Sequence, residues 1–122
     1  METIIRNQQQ LQYADVYISD MQSLKYIFLQ LQNLSRLNHD FGVPFLLAKK
    51  RNEILGFASL IINGKGEATF KIYGKGDLTD SEEKNFNLQA ERYFNKNNSA
   101  NFRNAEQLKS SINRMVSWLN IG

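Results

Sequence analysis

Residues 44–76 read PFLLAKKRNEILGFASLIINGKGEATFKIYGKG, and their pattern decides the fold. Phe45 to Ala48 is apolar without interruption. Ile54 to Ile62 is apolar on both of its faces, with Leu55, Phe57 and Ile61 on one side and Ile54, Ala58, Leu60 and Ile62 on the other. A strand apolar on both sides lies in the middle of a sheet covered above and below. Glu67 to Tyr73 alternates instead: Ala68, Phe70 and Ile72 make a dry face, and Glu67, Thr69 and Lys71 a wet one. The links RNE and NGKG are short enough for hairpins, so the three strands form an antiparallel meander.

Upstream, Tyr13 to Ile18 alternates with Ala14, Val16 and Ile18 on one side, which predicts a short half-buried strand or a lead-in to a helix. Ser19 and Gln22 have the spacing of a capping box. Met21, Leu24, Ile27, Phe28, Leu31, Leu34 and Leu37 then recur every three or four residues, predicting an amphipathic helix of four to five turns that stops before Gly42 and Pro44. Residues 1–12 are polar and glutamine-rich and read as a loose arm or a short helix. Downstream, Thr79 and Glu82 form a second capping box opening a helix to about Asn95, with Phe86, Ala90, Tyr93 and Phe94 as its apolar set. NKNNSANFRN (residues 95–104) has no period and reads as an exposed loop. Asn104 caps a last helix carrying Leu108, Ile112, Met115, Val116 and Leu119 on one face, with Trp118 off that stripe. The expectation is a single α+β domain over 1–122: an antiparallel sheet of three to four strands with amphipathic helices packed on it, in the order β-α-β-β-β-α-α.

Composition narrows the function. Hydrophobic residues at 42% and aromatics at 11% describe a folded domain. The absence of cysteine excludes disulfides, thiolate metal sites and cysteine nucleophiles. No apolar run approaches the ~20 residues of a membrane span, and METIIRNQQQ lacks the apolar core of a signal peptide, so a soluble cytoplasmic protein is expected. A net charge of +3, with its basic residues scattered, does not point to nucleic acid. Lys49, Lys50 and Arg51 cluster because a hairpin turn falls there.

The segment FLLAKKRNEILGFASLIINGKGEATF resembles the second to fourth strands of the GNAT (N-acyltransferase) superfamily, and the strand and long helix before it resemble that fold's opening. The resemblance implies an acyl-CoA-dependent N-acyltransferase or acyl-CoA binder. Members bind acyl-CoA through a loop reading Arg/Gln-x-x-Gly-x-Gly/Ala after the fourth strand. Lys71-Ile72-Tyr73-Gly74-Lys75-Gly76 has that spacing, with Lys71 in the first position, so Lys71, Gly74, Lys75 and Gly76 are the implied holders of an acetyl-CoA or other acyl-CoA diphosphate. Glycines let backbone amides approach such an anion, and a following helix N-terminus favours it. Asp77, Asp80, Glu82 and Glu83 crowd that helix start and themselves complement its dipole.

The acceptor, a small-molecule or protein amine, is not written in the residues. Glu67 or Tyr73 could serve as a base for acyl transfer. Each is equally accounted for as a charge at a strand start or an amphipathic ring at a strand end. His39 is the single histidine, beside Asp40 near a helix end, and one histidine without clustered partners makes neither a metal site nor a catalytic triad. A non-catalytic interaction module, in the form of a homodimer using the sheet and last helix, is the alternative. A small-molecule pocket between the first helix and the sheet is a third reading.

Overall fold

Strand β3 (Glu53–Ile62) runs through the centre of the domain, and six consecutive residues of it, Leu55 to Leu60, are buried. The computed structural model describes residues 10–97 and 99–121, so most of the amino-terminal arm proposed above lies outside the described residues. With β1 (Gln12–Asp15), β2 (Val43–Lys50) and β4 (Ala68–Gly74), β3 forms a four-stranded antiparallel sheet in the order β1-β2-β3-β4. The helices are α1 (Met21–Gln32), α2 (Asp80–Lys96), the single turn α3 (Ala100–Arg103) and α4 (Ala105–Ile121). The class and element order are those the sequence predicts, with α3 added. Among the described residues no helix is long and apolar enough to cross a membrane.

One face of the sheet carries the cross-strand row Ala14–Leu47–Phe57–Tyr73. It meets Met21, Leu24, Ile27 and Phe28 of α1, whose three- and four-residue spacing puts them on one stripe. Phe28, Phe41, Phe57 and Tyr73 form a contiguous aromatic group with ring centroids 5.2–5.7 Å apart. The opposite face, with Leu46, Ala58, Leu60, Phe70 and Ile72, packs against Phe86 and Ala90 of α2 and Phe102 of α3. Helix α4 belongs to both layers: Leu108 and Ile112 lie in the second core, Leu119 in the first, and Val116 packs against each.

Several expectations are corrected. β1 ends at Asp15, and Ile18 is 77% exposed, in a 3-10 turn (Ile18–Asp20) rather than on a strand. Asp20, not Ser19, stands at the N-cap position of α1, and its carboxylate accepts from the Tyr17 N–H at 2.8 Å. α1 stops at Asn33, whose φ of 53° is left-handed, and the Leu34 N–H turns back to the Leu29 carbonyl. The helix is therefore shorter than its leucine spacing implies, and Leu37 reaches the core from the connection that follows. A shift of register between Ala48 and Lys49 brings Ile54 to the Phe57 side of the sheet, against strict alternation. Tyr73, on the nominally wet face of β4, is core. The segment 95–104 is not wholly a loop: α3 forms there, because Phe102 fits between Phe45, Tyr93 and Phe94.

Two sharp changes of direction fix the meander. Arg51 and Asn52 both have positive φ, which makes the β2–β3 link a two-residue hairpin turn. Gly42, between a 3-10 turn (His39–Phe41) and β2, has φ 68° and ψ −152°, and a β-carbon there would lie 2.1 Å from the Leu60 carbonyl oxygen. Gly42→Ala is therefore expected to lower stability by about 2–4 kcal/mol, from backbone strain plus the clash. Gly64→Ala, where a β-carbon meets nothing within 4 Å, stays within about 0.5 kcal/mol of the parent. Urea unfolding of both variants decides it, and equal midpoints would refute the account of Gly42.

Candidate functional site

The bend after β4 is built mainly from contacts the chain makes with itself. The Lys75 N–H donates to the Leu55 carbonyl at 2.8 Å, continuing the β3–β4 ladder one residue past Gly74. Gly76 has φ 92°, the left-handed geometry glycine tolerates. Thr79 then caps α2 as its spacing predicts: its hydroxyl accepts from the Glu82 N–H at 3.1 Å, and the Glu82 carboxylate accepts from the Thr79 N–H at 3.0 Å. The hydrogen bond from Lys50, 2.8 Å away, and then that from the Thr79 backbone hold the Glu82 carboxyl below the usual carboxylate range. Asp80, Glu82 and Glu83 fill the first turn with negative charge.

The four implied diphosphate holders do not converge. Gly74 and Gly76 border one small hollow of about 100 Å³, whose wall includes Ile72, Leu78 and Glu83. Lys75 opens the other way, into a shallow groove between α1 and the β2–β3 hairpin with Gln22, Tyr26, Asn52 and Glu53, and its ammonium lies 3.5 Å from the Glu53 carboxylate. The Lys71 ammonium lies 5.6 Å over the Tyr73 ring and borders neither hollow. One ladder-bound amide, one paired lysine and a carboxylate facing the glycines make a poor match to a diphosphate, whose charge asks for free donors.

The candidate bases are likewise occupied in the scaffold. Tyr73 is 3% exposed and donates its hydroxyl to the Asp40 carbonyl. Burial, and secondarily the Asp40 charge, pushes its hydroxyl well above the usual tyrosine range. Glu67 closes the β3–β4 turn: its N–H donates to the Asn63 side-chain oxygen at 3.0 Å and its carbonyl accepts from the Asn63 N–H at 2.9 Å. His39 Nε2 lies 2.7 Å from Asn113 Oδ1, which only accepts, so Nε2 carries the proton and ties the 3-10 turn to α4. Ser59 Oγ is the one buried side-chain polar atom without a hydrogen-bond partner among the described residues, and it makes no hydrogen bond to Lys71, its cross-strand neighbour on β4. Among the described residues no three His, Asp or Glu side chains gather where they could hold a metal ion.

Two features escape sequence reasoning. The first is a hollow of about 370 Å³ at the opposite end of the sheet, where His39 and Asp40, the Ile62–Gly66 turn and the start of α4 meet. Glu106 and Lys109, three apart on a helix, were readable as neighbours, but their meeting with residues some 65 positions earlier was not. The second is the exposed apolar side of α1: Leu31 and Leu34, which the helical spacing assigns to the buried stripe, are exposed, together with Tyr26.

Tyr73 generates a pH test. The folded state keeps its proton where the unfolded chain, titrating near pH ~10, releases it, so stability is complete below that pH and declines above it. Tyr73→Phe should flatten this alkaline decline, while costing about 1–2 kcal/mol near neutrality because the Asp40 carbonyl loses its donor. Urea midpoints across the alkaline range measure both effects, and an unchanged slope would show that Tyr73 already ionises freely in the folded protein.

Compared with protein-family models, curated proteins and solved structures, the chain matches none.

Proposed function

We propose that the chain is a non-catalytic interaction module that self-associates through α1 and the end of α4. The observation that carries this reading is the chemistry of α1's outer surface. Met21–Leu34 holds one charged side chain, Lys25, whereas α2, also exposed along one side, holds Asp80, Glu82, Glu83, Lys84, Glu91, Arg92 and Lys96. Even Lys25 is turned inward to the chain, donating to the Leu119 carbonyl at 2.6 Å. What remains outside on α1 and the turn before it is glutamine and apolar surface: Tyr17, Ile18, Tyr26, Leu31 and Leu34; Trp118 and Ile121 are exposed on α4, Trp118 beside Val43 and Asn101. Among the described residues Leu88 alone is comparably exposed elsewhere.

α4 is joined to this layer by a two-way bond, Leu37 N–H to Asn120 Oδ1 at 2.9 Å and Asn120 Nδ2 to the Leu37 carbonyl at 3.1 Å. A helix side that carries no free charge of its own, bordered by the Lys75–Glu53 pair, suits a two-fold interface, where each residue meets its own copy's surroundings and like charges would face one another. Depletion of charge with retention of tyrosine and tryptophan is the composition of interface centres.

The acyl-CoA reading implied by the family resemblance is supported by the glycine bend opening onto a capped helix, and it predicts different behaviour. For self-association, sedimentation should show a dimer that Tyr26→Glu or Leu31→Lys shifts to monomer by at least about tenfold in dissociation constant, with thermal stability little changed. Leu88→Lys, on α2, should leave it intact. A parent chain that sediments as a monomer at all concentrations, or variants that leave the mass unchanged, would end this reading. For acyl-CoA binding, acetyl-CoA should raise the melting temperature, and Gly74→Glu should remove that rise without unfolding the chain, since a β-carbon at Gly74 meets only the flexible Leu78 tip at 3.2 Å.

A further inference from the structure

The hollow beside α4 combines an apolar floor with charges the protein leaves unspent. Ile112, Ile62 and Ala105 supply the floor, Ile112 being 2% exposed. Its rim carries Asp40, Glu106, Lys109 and His39. Among the described residues, the side chains of Asp40, Glu106 and Lys109 take part in no hydrogen bond or ion pair. His39 spends Nε2 on Asn113 and keeps Nδ1.

The rim is also positioned rather than loose. Tyr73, anchored in the aromatic core, holds the Asp40 carbonyl, and Asn38 Oδ1 accepts from the Asp40 N–H at 2.9 Å. Asn104 Oδ1 accepts from the Glu106 and Gln107 N–H groups at 2.9 and 3.1 Å, fixing the first turn of α4. The volume falls within the range of small-ligand sites, about 300–1,000 Å³.

From these observations we infer that the hollow binds a small zwitterion with an apolar side chain, of the class of a free apolar amino acid. Two carboxylates and a lysine on one rim complement a ligand bearing both signs. A simple amine would leave Lys109 opposed by nothing, and a simple acid would meet Asp40 and Glu106 as like charges. The aliphatic floor takes the side chain, at about 25 cal/mol per Å² removed from water. This inference is independent of the dimer, because the hollow lies at the sheet end and uses none of the exposed side chains of α1.

The test is an amide-resolved NMR titration of the full chain with L-leucine and L-phenylalanine, and with phenethylamine and 3-phenylpropionate as half-charged analogues. The expected result is saturable shifts at Gly66, Ala105, Lys109 and Ile112, with each analogue weaker than phenylalanine by about fivefold or more. Lys109→Met should abolish the preference over the amine, and Glu106→Gln the preference over the acid. Ala105→Phe, which fills the hollow from within, should abolish binding. Each variant's remaining spectrum reports whether it stays folded. Absence of saturable shifts up to about 10 mM would overturn the inference, as would an amine that binds as tightly as the amino acid or a Lys109→Met chain that still discriminates.

Discussion

The burial of β3 on both faces is the constraint from which the rest of the architecture follows. A strand apolar above and below cannot rest on a single layer, so the chain must supply cover twice. It does so first with α1, before β2 and β3 are made, and then with α2 and α3 after β4. Neither layer is large, and α4 closes both by crossing the end of the sheet. Val116 touches both cores, and close-packed interiors transmit strain. A change that moves α4 is therefore felt on both faces at once.

Much of this was legible because it depends on period and on local backbone chemistry. The three-strand meander, the Thr79–Glu82 box and the stripe of α4 each repeat a short-range rule, and each appears in place. What failed did so for long-range reasons. Leu34 and Leu37 keep the helical spacing beyond Asn33, yet the chain must turn there to deliver Phe41 and Gly42 to the sheet, so a left-handed residue ends the helix early. Ile54 changes sides because a register shift beside the hairpin adds a residue that no alternation rule foresees. Phe102 sits in a stretch dominated by asparagine, and its burial depends on a pocket made by Phe45 and two residues of α2, which sequence spacing cannot show. Tyr73 looked amphipathic by position; the distant Asp40 carbonyl is what satisfies its hydroxyl and allows it to enter the core.

The candidate site was legible only in part, for a related reason. Spacing indicated Lys71 on the strand and Gly74, Lys75 and Gly76 at its end, and they lie there. Spacing does not say which side of a sheet each side chain takes. Because β4 is pleated, Lys71 and Tyr73 share the face covered by α1, while Ile72 packs against the core on the α2 side. A motif read as a line of residues is thus divided between two faces.

Catalysis needs groups free to move protons or meet a reacting atom, held close together. At the β2–β3 end of the sheet Lys50, Lys75, Glu53 and Glu82 are paired, and the Lys75 amide belongs to the ladder. In the interior, the Tyr73 hydroxyl is fixed by a single carbonyl whose service is structural. Asp40, Glu106 and Lys109 stand at the far end, around an apolar hollow, on backbone that Tyr73, Asn38 and Asn104 hold in place. Charges of both signs around an apolar floor are suited to discriminating one small ion from another, since a ligand lacking either charge leaves a partner unanswered. The uncharged side of α1 differs from α2 in kind: along α2 the chain places ions toward solvent, and along α1 it places none, which is the ground on which self-association is proposed.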